Sequence, residues 1–289
     1  MKIGVAFPQG EVGGDPIGIR DYFQAFEELG YDHMECGEHT ILREPGVRSD
    51  WNPSAPARAL WQTTWPNHDP YILFGMAAAL TTKAEFFTSI SYLPVRQTAL
   101  VAKQAAELDI LSAGRFRLGV GVGWNDLEYE TYKADFHTRG RRMEEQIKLL
   151  RQLWTEEVVT FKGRFDQIDH AGICPLPVQR PIPVWHGGSS DAALKRAARL
   201  GCEGLLSGPM AKLPQIKQWY QEAGHDFSKV GLSTYVLLSG DVAKSMERIK
   251  GMPKEVTHVT AIGWEGIGGI AKQIEALHRF KTGRKAAGL

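Results

Sequence analysis

Five residues able to carry a proton or a metal crowd one short stretch: His33, Glu35, Cys36, Glu38 and His39. Alternation along a strand brings His33 and Glu35 to one face. Imidazole beside carboxylate is the raw material of a zinc site or of general acid–base catalysis. No second cluster completes a coordination sphere, so metal binding is not expected and acid–base work is the more plausible chemistry of the two. A histidine at the C-terminal end of a barrel strand can donate a proton or hydrogen-bond a cofactor ring. The plain alternative is a surface histidine capping a loop.

Two glycine-bearing segments add further chemistry. Gly119, Gly121 and Gly123 stand at the mouth of a strand, where glycine permits a tight turn and close approach of a flat ligand. Their spacing fails as a dinucleotide fingerprint, and the structural alternative is small residues filling a crowded barrel interior. Trp185-His186-Gly187-Gly188-Ser189-Ser190-Asp191 leads from strand to helix through two glycines and two hydroxyls. Unpaired N–H groups at such a helix start attract phosphate or another anion; an ordinary helix capped by Ser189 or Ser190 is the alternative. No Gly-x-Ser-x-Gly elbow or Walker loop is present, which removes support for nucleophilic hydrolysis and P-loop phosphoryl transfer. Glu27-Glu28, Glu144-Glu145 and Glu156-Glu157 read as solvated helix faces.

The elements that must hold these residues alternate strand with helix, which signals βαβ units and a parallel sheet. Strands are predicted at 3–7, 31–36, 86–92, 117–122, 183–186, 204–207, 232–239 and 258–262. Helices are predicted at 17–29, 99–111, 142–154, 191–200, 214–223, 244–250 and 268–280. Eight such units predict a closed α/β barrel, a (β/α)8 TIM barrel, because closure removes sheet edges. Two stretches exceed the minimum. The long insertion after strand 2, residues 40–68, carries Trp51, Trp61 and Trp65 and reads as a lid, a pocket wall or a dimer contact. Residues 156–180 read as a hairpin-like insertion before strand 5 followed by a rigid proline-bearing connector. Residues 281–289 are predicted to fray.

Composition narrows the classes. At 289 residues, 43% hydrophobic and 23% charged, the chain suits one barrel domain over 1–289. Thirty-four Lys and Arg against 33 Asp and Glu leave +1, which gives nucleic acid no broad electrostatic attraction. Cys36, Cys174 and Cys202 form no CxxC pattern, fitting a reducing compartment. The first strand meets Pro8 before a signal-peptide core can form, and no apolar run reaches membrane-spanning length. A cytoplasmic protein without membrane partners is expected.

Several runs together resemble the luciferase-like monooxygenase superfamily, of bacterial luciferase-like barrels. They are Thr88-Ser89-Ile90-Ser91-Tyr92-Leu93-Pro94, Ala102-Lys103-Gln104, Leu108-Asp109-Ile110-Leu111-Ser112-Ala113-Gly114-Arg115, Leu118-Gly119-Val120-Gly121-Val122-Gly123-Trp124-Asn125, Arg139-Gly140-Arg141-Arg142, Phe161-Lys162-Gly163 and Pro183-Val184-Trp185-His186-Gly187-Gly188-Ser189. The Gly-Val-Gly-Trp-Asn form is similar to the branch that uses the deazaflavin coenzyme F420; other branches use FMN. The resemblance implies an oxidoreductase passing hydride between coenzyme F420 and a small organic substrate, with an FMN-dependent monooxygenase as the alternative and a homodimer as the assembly. It also implies a non-prolyl cis peptide at Ser89-Ile90 behind the cofactor ring, main-chain contacts from Gly187, Gly188 and Ser189 to its phosphate, and a Glu38-His39 pair at the reacting ring, with His39 the catalytic candidate.

Three departures from the pattern stand out. Glu38 replaces the more usual Asp, Trp124 stands where certain sugar-phosphate dehydrogenases carry a catalytic Glu, and Lys212 lies only near a phosphate-contacting position. A non-catalytic flavin or deazaflavin carrier and a barrel isomerase or aldolase acting on a phosphorylated metabolite are the rival classes.

Overall fold

Short β-branched and aromatic runs become parallel strands, and each intervening helix carries the chain back to the start of the next. The computed structural model describes residues 1–44, 63–238, 240–263 and 268–289. Its strands are β1 (Lys2–Ala6), β2 (His33–Cys36), β3 (Glu85–Thr88), β4 (Ser91–Tyr92), β5 (Phe116–Gly121), β6 (Val159–Lys162), β7 (Gln167–Ala171), β8 (Val184–Gly187), β9 (Gly204–Leu206), β10 (Gly231–Leu237) and β11 (His258–Ile262). The order β3-β2-β1-β11-β10-β9-β8-β5-β4 closes through a β3–β5 pairing. The predicted third strand is not continuous. β3 and β4 are its two halves, broken at Ser89-Ile90, and each half pairs in parallel with β5. Counted as one, they make an eight-stranded parallel barrel. β6 and β7 form a separate antiparallel hairpin, the insertion expected before β8.

The helices are α1 (Gln9–Val12), α2 (Pro16–Glu28), α3 (Pro70–Leu80), α4 (Thr98–Leu111), α5 (Asp126–Thr131), α6 (Arg139–Thr155), α7 (Asp191–Leu200), α8 (Leu213–Glu222), α9 (Val242–Lys250) and α10 (Ile270–Ala287). Helix α7 shows the local logic: the Ser190 side chain accepts from Ala193 N–H, and Gly201 ends the helix in the left-handed region. Helix α3 escaped the periodicity reading because Pro-Tyr-Ile-Leu-Phe-Gly-Met-Ala-Ala-Ala-Leu has no polar face to set a period. Its start is still written, with Pro70 in the first turn and Asp69 accepting from Tyr71 and Ile72 N–H. The predicted frayed tail is also corrected. Helix α10 continues to Ala287, and Leu289 packs against the core.

Only part of the long insertion lies in the described residues; Trp51 and Trp61, and with them most of the proposed lid, fall outside. The returning end is pinned to α1. His68 N–H donates to Gln9 Oε1 at 2.7 Å, His68 Nε2 meets Gly13 O at 2.9 Å, and Trp65 packs where a side chain on Gly10 would have to go.

Alternate residues of each strand face the barrel axis. At the lower end Glu85 accepts from Lys2 at 2.7 Å and Arg117 at 2.6 Å, and the Arg117 guanidinium lies over Phe87 and Trp185. Burial pushes the Glu85 carboxyl up, but His258, Arg117 and Lys2 outweigh it and hold the group well below the usual range. Above them the rings of His33, Phe87, Trp185 and His258 meet edge-on or tilted at 4.9–5.6 Å and plug the barrel.

Candidate active site

The exit of β2 sets the upper rim. Glu38 is buried, and its carboxylate accepts twice from Arg96, Nε to Oε1 and Nη2 to Oε2, both at 2.9 Å. It also accepts from Ser91 Oγ at 3.2 Å and Tyr92 N–H at 3.1 Å. Arg96 reaches Asp69, the cap of α3, at 3.2 Å and lies over the Tyr71 ring. A fork-on-fork pair of this kind fixes direction as well as distance, so β2, β4 and α3 are locked to one another. The longer Glu at this position brings both carboxylate oxygens into protein contacts.

His39 stands beside that bracket. Its Nε2 is 3.2 Å from Tyr92 Oη and its Nδ1 is 3.4 Å from Glu128 Oε2. Glu128 is buried and its other oxygen accepts from Thr40 N–H at 2.8 Å. The imidazole is walled edge-on by Tyr92 and Trp124 at 5.0 and 5.3 Å between centroids. With Glu128 accepting from Nδ1–H, Nε2 is left to accept from the Tyr92 hydroxyl, which assigns the tautomer from the hydrogen bonds.

The peptide between Ser89 and Ile90 is cis, as the resemblance implied. The Ile90 side chain projects toward β5 and β8, where a Cβ on Gly121 or Gly187 would fall 2.0 or 2.6 Å from it. Glycine at these two positions is therefore a packing requirement of Ile90, the structural alternative raised for Gly121. Ser89 Oγ lies 3.1 Å from Tyr235 Oη. The Tyr235 hydroxyl donates to Glu35 Oε2 at 3.1 Å, and Thr260 Oγ1 donates to Glu35 Oε1 at 2.5 Å. Burial pushes the Glu35 carboxyl up against the opposing effect of these hydroxyls.

Two cavities meet across this rim and share Gly37 and Ser89. One, of about 340 Å³, is lined by Glu38, His39, Ser89, Ile90, Tyr92, Val122, Gly123, Trp124, Gly187 and Gly188. The other, of about 290 Å³, is lined by Ala6, Phe7, Pro8, Glu35, Trp65, Ser89, Tyr235 and Ile262 among others. Both open at the C-terminal ends of the strands, the catalytic face of barrels of this kind.

A family model described as luciferase-like monooxygenase matches residues 1–248. The chain belongs to the luciferase-like monooxygenase family. It is 40% identical over 143 residues to the uncharacterized protein Rv0940c of Mycobacterium tuberculosis, covering 50% of this chain and 49% of that one. The match thus spans about half the length of that relative. It is 31% identical over 209 residues to an FMNH(2)-dependent dimethylsulfone monooxygenase of Pseudomonas putida, covering 65% of this chain and 57% of that protein. Among solved structures, monooxygenase RslO1 from Streptomyces bottropensis superposes with a TM-score of 0.80 at 18% identity, covering all of both chains. The coenzyme F420-dependent tetrahydromethanopterin reductase of Methanopyrus kandleri gives 0.69 at 16% identity, covering 98% of this chain and 97% of that one.

In this luciferase-like barrel, six of the seven residues singled out from sequence line one cavity: Glu38, His39, Ser89, Ile90, Gly187 and Gly188. Ser189 is not among the lining residues; it follows Gly188 and precedes Ser190, the cap of α7. There Lys212 Nζ reaches Asp191 Oδ1 at 2.5 Å and Ser189 O at 3.3 Å, which puts a cation at the helix N-terminus. The Cys36 thiol is buried, and burial pushes its pKa up. Among the described residues no group of three or more His, Cys, Asp or Glu side chains is arranged to hold a metal ion. Sequence reasoning missed Tyr92, Arg96, Glu128 and Tyr235. The Arg96 and Glu128 partners lie 58 and 89 residues away along the chain, beyond the reach of any local spacing rule.

Proposed function

We propose that the chain is an oxidoreductase that binds coenzyme F420 across the rim of the barrel and exchanges hydride with a small organic molecule. The observation that carries this reading is the convergence of the Glu128–His39–Tyr92 hydrogen-bonded series and the Ile90 side chain on one cavity. The residues suit a flat ring with an anionic tail. Ile90, packed against Gly121 and Gly187, offers an apolar brace, and Gly188 leads the chain toward the start of α7, where Lys212 is paired with Asp191. When bound, a deazaflavin supplies the two-electron chemistry, while position and dryness come from the protein.

His39 holds or moves the accompanying proton at Nε2, the Tyr92 hydroxyl connects that nitrogen to the rim, and Glu128 keeps the imidazole in the tautomer that leaves Nε2 basic. FMN is the alternative cofactor, favoured by the identity shared with the FMNH(2)-dependent monooxygenase.

The same reading takes residues 1–289 as one domain and the assembly as a homodimer. Helix α3 supports the latter, because its exposed Ile72 and Met76 lie on a helix without a polar residue. Three free cysteines support a reducing, cytoplasmic setting. No helix among the described residues is long and apolar enough to cross a membrane.

Titration of the purified protein with oxidised F420 and with FMN, followed by absorbance and fluorescence, tests the reading: F420 is expected to bind more tightly, and the reverse order selects the monooxygenase alternative. Binding of neither removes both. His39→Ala is expected to lower turnover about 100-fold and to shift the cofactor Kd less than about threefold. Unchanged turnover would take His39 out of the mechanism.

A further inference from the structure

Beside the cavity of His39 lies a second one whose walls and floor differ in kind. Phe7, Pro8, Trp65 and Ile262 make its sides apolar, and its polar groups converge at Glu35, Ser89 and Tyr235. Among the described residues that line it none is Lys, Arg or His, while Glu11 and Glu35 are both acidic, so these walls disfavour an anion. At about 290 Å³ it sits at the lower edge of the ~300–1,000 Å³ usual for small-molecule pockets.

The floor has a particular hydrogen-bonding capacity. Glu35 is buried, and among the described residues no Lys or Arg pairs with it. His33 Nε2 is 3.8 Å from its carboxylate and lies 2.9 Å from Thr260 Oγ1. Thr260 and Tyr235 hydroxyls face the Glu35 carboxyl, and Ser89 Oγ faces Tyr235 in turn. With Glu35 ionised, Tyr235 donates to it, and the phenolic oxygen then accepts from a ligand hydroxyl. With Glu35 protonated, the carboxyl donates to Tyr235, whose own O–H turns to a ligand carbonyl. One shared proton thereby serves both an alcohol and the carbonyl compound two electrons above it.

We infer that this lobe is a subsite for a small, uncharged, largely apolar molecule presenting one hydroxyl or carbonyl oxygen, and that the Tyr235–Glu35 pair, with Ser89, recognises that oxygen. The inference deepens the function proposed above and rests on it for the assignment of the neighbouring cavity to the cofactor. The Tyr235 and Ser89 hydroxyls are already paired with each other and with Glu35, so a hydrocarbon in the lobe makes no hydrogen bond while an oxygen-bearing ligand adds one at Tyr235, and that added bond is the source of selectivity.

The test uses the cofactor-free protein titrated with benzyl alcohol, benzaldehyde, toluene, benzylamine and benzoate, followed by ligand-observed NMR. The alcohol and the aldehyde are expected to bind about tenfold more tightly than toluene, with no benzoate binding in the lobe. Tyr235→Phe is expected to erase the preference while toluene affinity stays unchanged, and Glu35→Gln to weaken it. Ile262→Trp, which narrows the lobe from its apolar wall, is expected to abolish binding of every probe; this keeps the test open if Tyr235→Phe fails to fold. Preferential binding of benzylamine overturns the inference in favour of an ammonium site. Equal affinities for benzyl alcohol and toluene, or a preference that survives in Tyr235→Phe, overturn it outright. F420 and FMN titrations on the same samples separate the two readings: an alcohol preference without cofactor binding sinks the proposed function and leaves the subsite standing.

Discussion

Arg96→Ala is expected to destabilise the protein by about 3–5 kcal/mol, because it strands the Glu38 carboxylate in a buried position with its strongest partner gone. The side chains are 16% and 4% exposed, too enclosed for water to take over as it would at a surface pair. At roughly 2–4 °C per kcal/mol for a large domain, the melting temperature falls by about 10 °C, read by calorimetry. Arg96→Lys keeps the charge but cannot make the two-pronged contact, so it recovers part of the loss. Adding Glu38→Gln to Arg96→Met removes both charges together and recovers more than half. A single Arg96→Ala that melts within 2 °C of the parent, by the same ~2–4 °C per kcal/mol scale, would show that the bracket contributes little. Since Glu38 and His39 are adjacent and Arg96 also reaches Asp69, the same variant is expected to loosen the rim on which the proposed chemistry depends.

Acid is expected to destabilise the protein above the pH at which ordinary carboxylates protonate. His186 is buried, with no hydrogen-bond partner for either ring nitrogen among the described residues. Burial, with Arg196 nearby, pushes its pKa down to about 3. Burial likewise lowers His33 and His258, against the opposing pull of Glu85 on both. For each ring the folded value lies below the unfolded one, about 6.5. Its contribution is therefore intact above pH 6.5 and lost as the pH falls from there toward the folded value. Each ring costs about 1.4 kcal/mol per pH unit within that window. Glu35 opposes the trend, since its raised pKa favours the folded state as the pH falls; Glu85 adds to it below about pH 4.5, the ordinary carboxyl value. The net outcome is a melting temperature that drops steadily between pH 6.5 and pH 4.5 at fixed ionic strength. His186→Phe removes one proton from the slope. A melting temperature that is flat across this range contradicts the argument.

The barrel was legible because alternation of strand and helix is a local property repeated eight times. The break in the third strand was not: nothing in the spacing of Phe86 to Tyr92 separates one seven-residue strand from two short ones, and the cis peptide came from family resemblance. Helix α3 was hidden by its own uniformity, since an amphipathic reading needs polar residues to mark the outer face and this segment has none. In the site, Glu38 and His39 drew notice through their types. Arg96 and Glu128, which fix where those two point, sit on other elements, and only the closed barrel brings them near. Tyr235 lay unremarked inside the predicted strand at 232–239, and its partners Glu35 and Ser89 come from the far side of the barrel.

The plug of His33, Phe87, Trp185 and His258 decides how molecules travel. With the lower end stoppered among the described residues, both cavities face the same end of the barrel, so the two occupants proposed for them would arrive from one side and compete for the same approach.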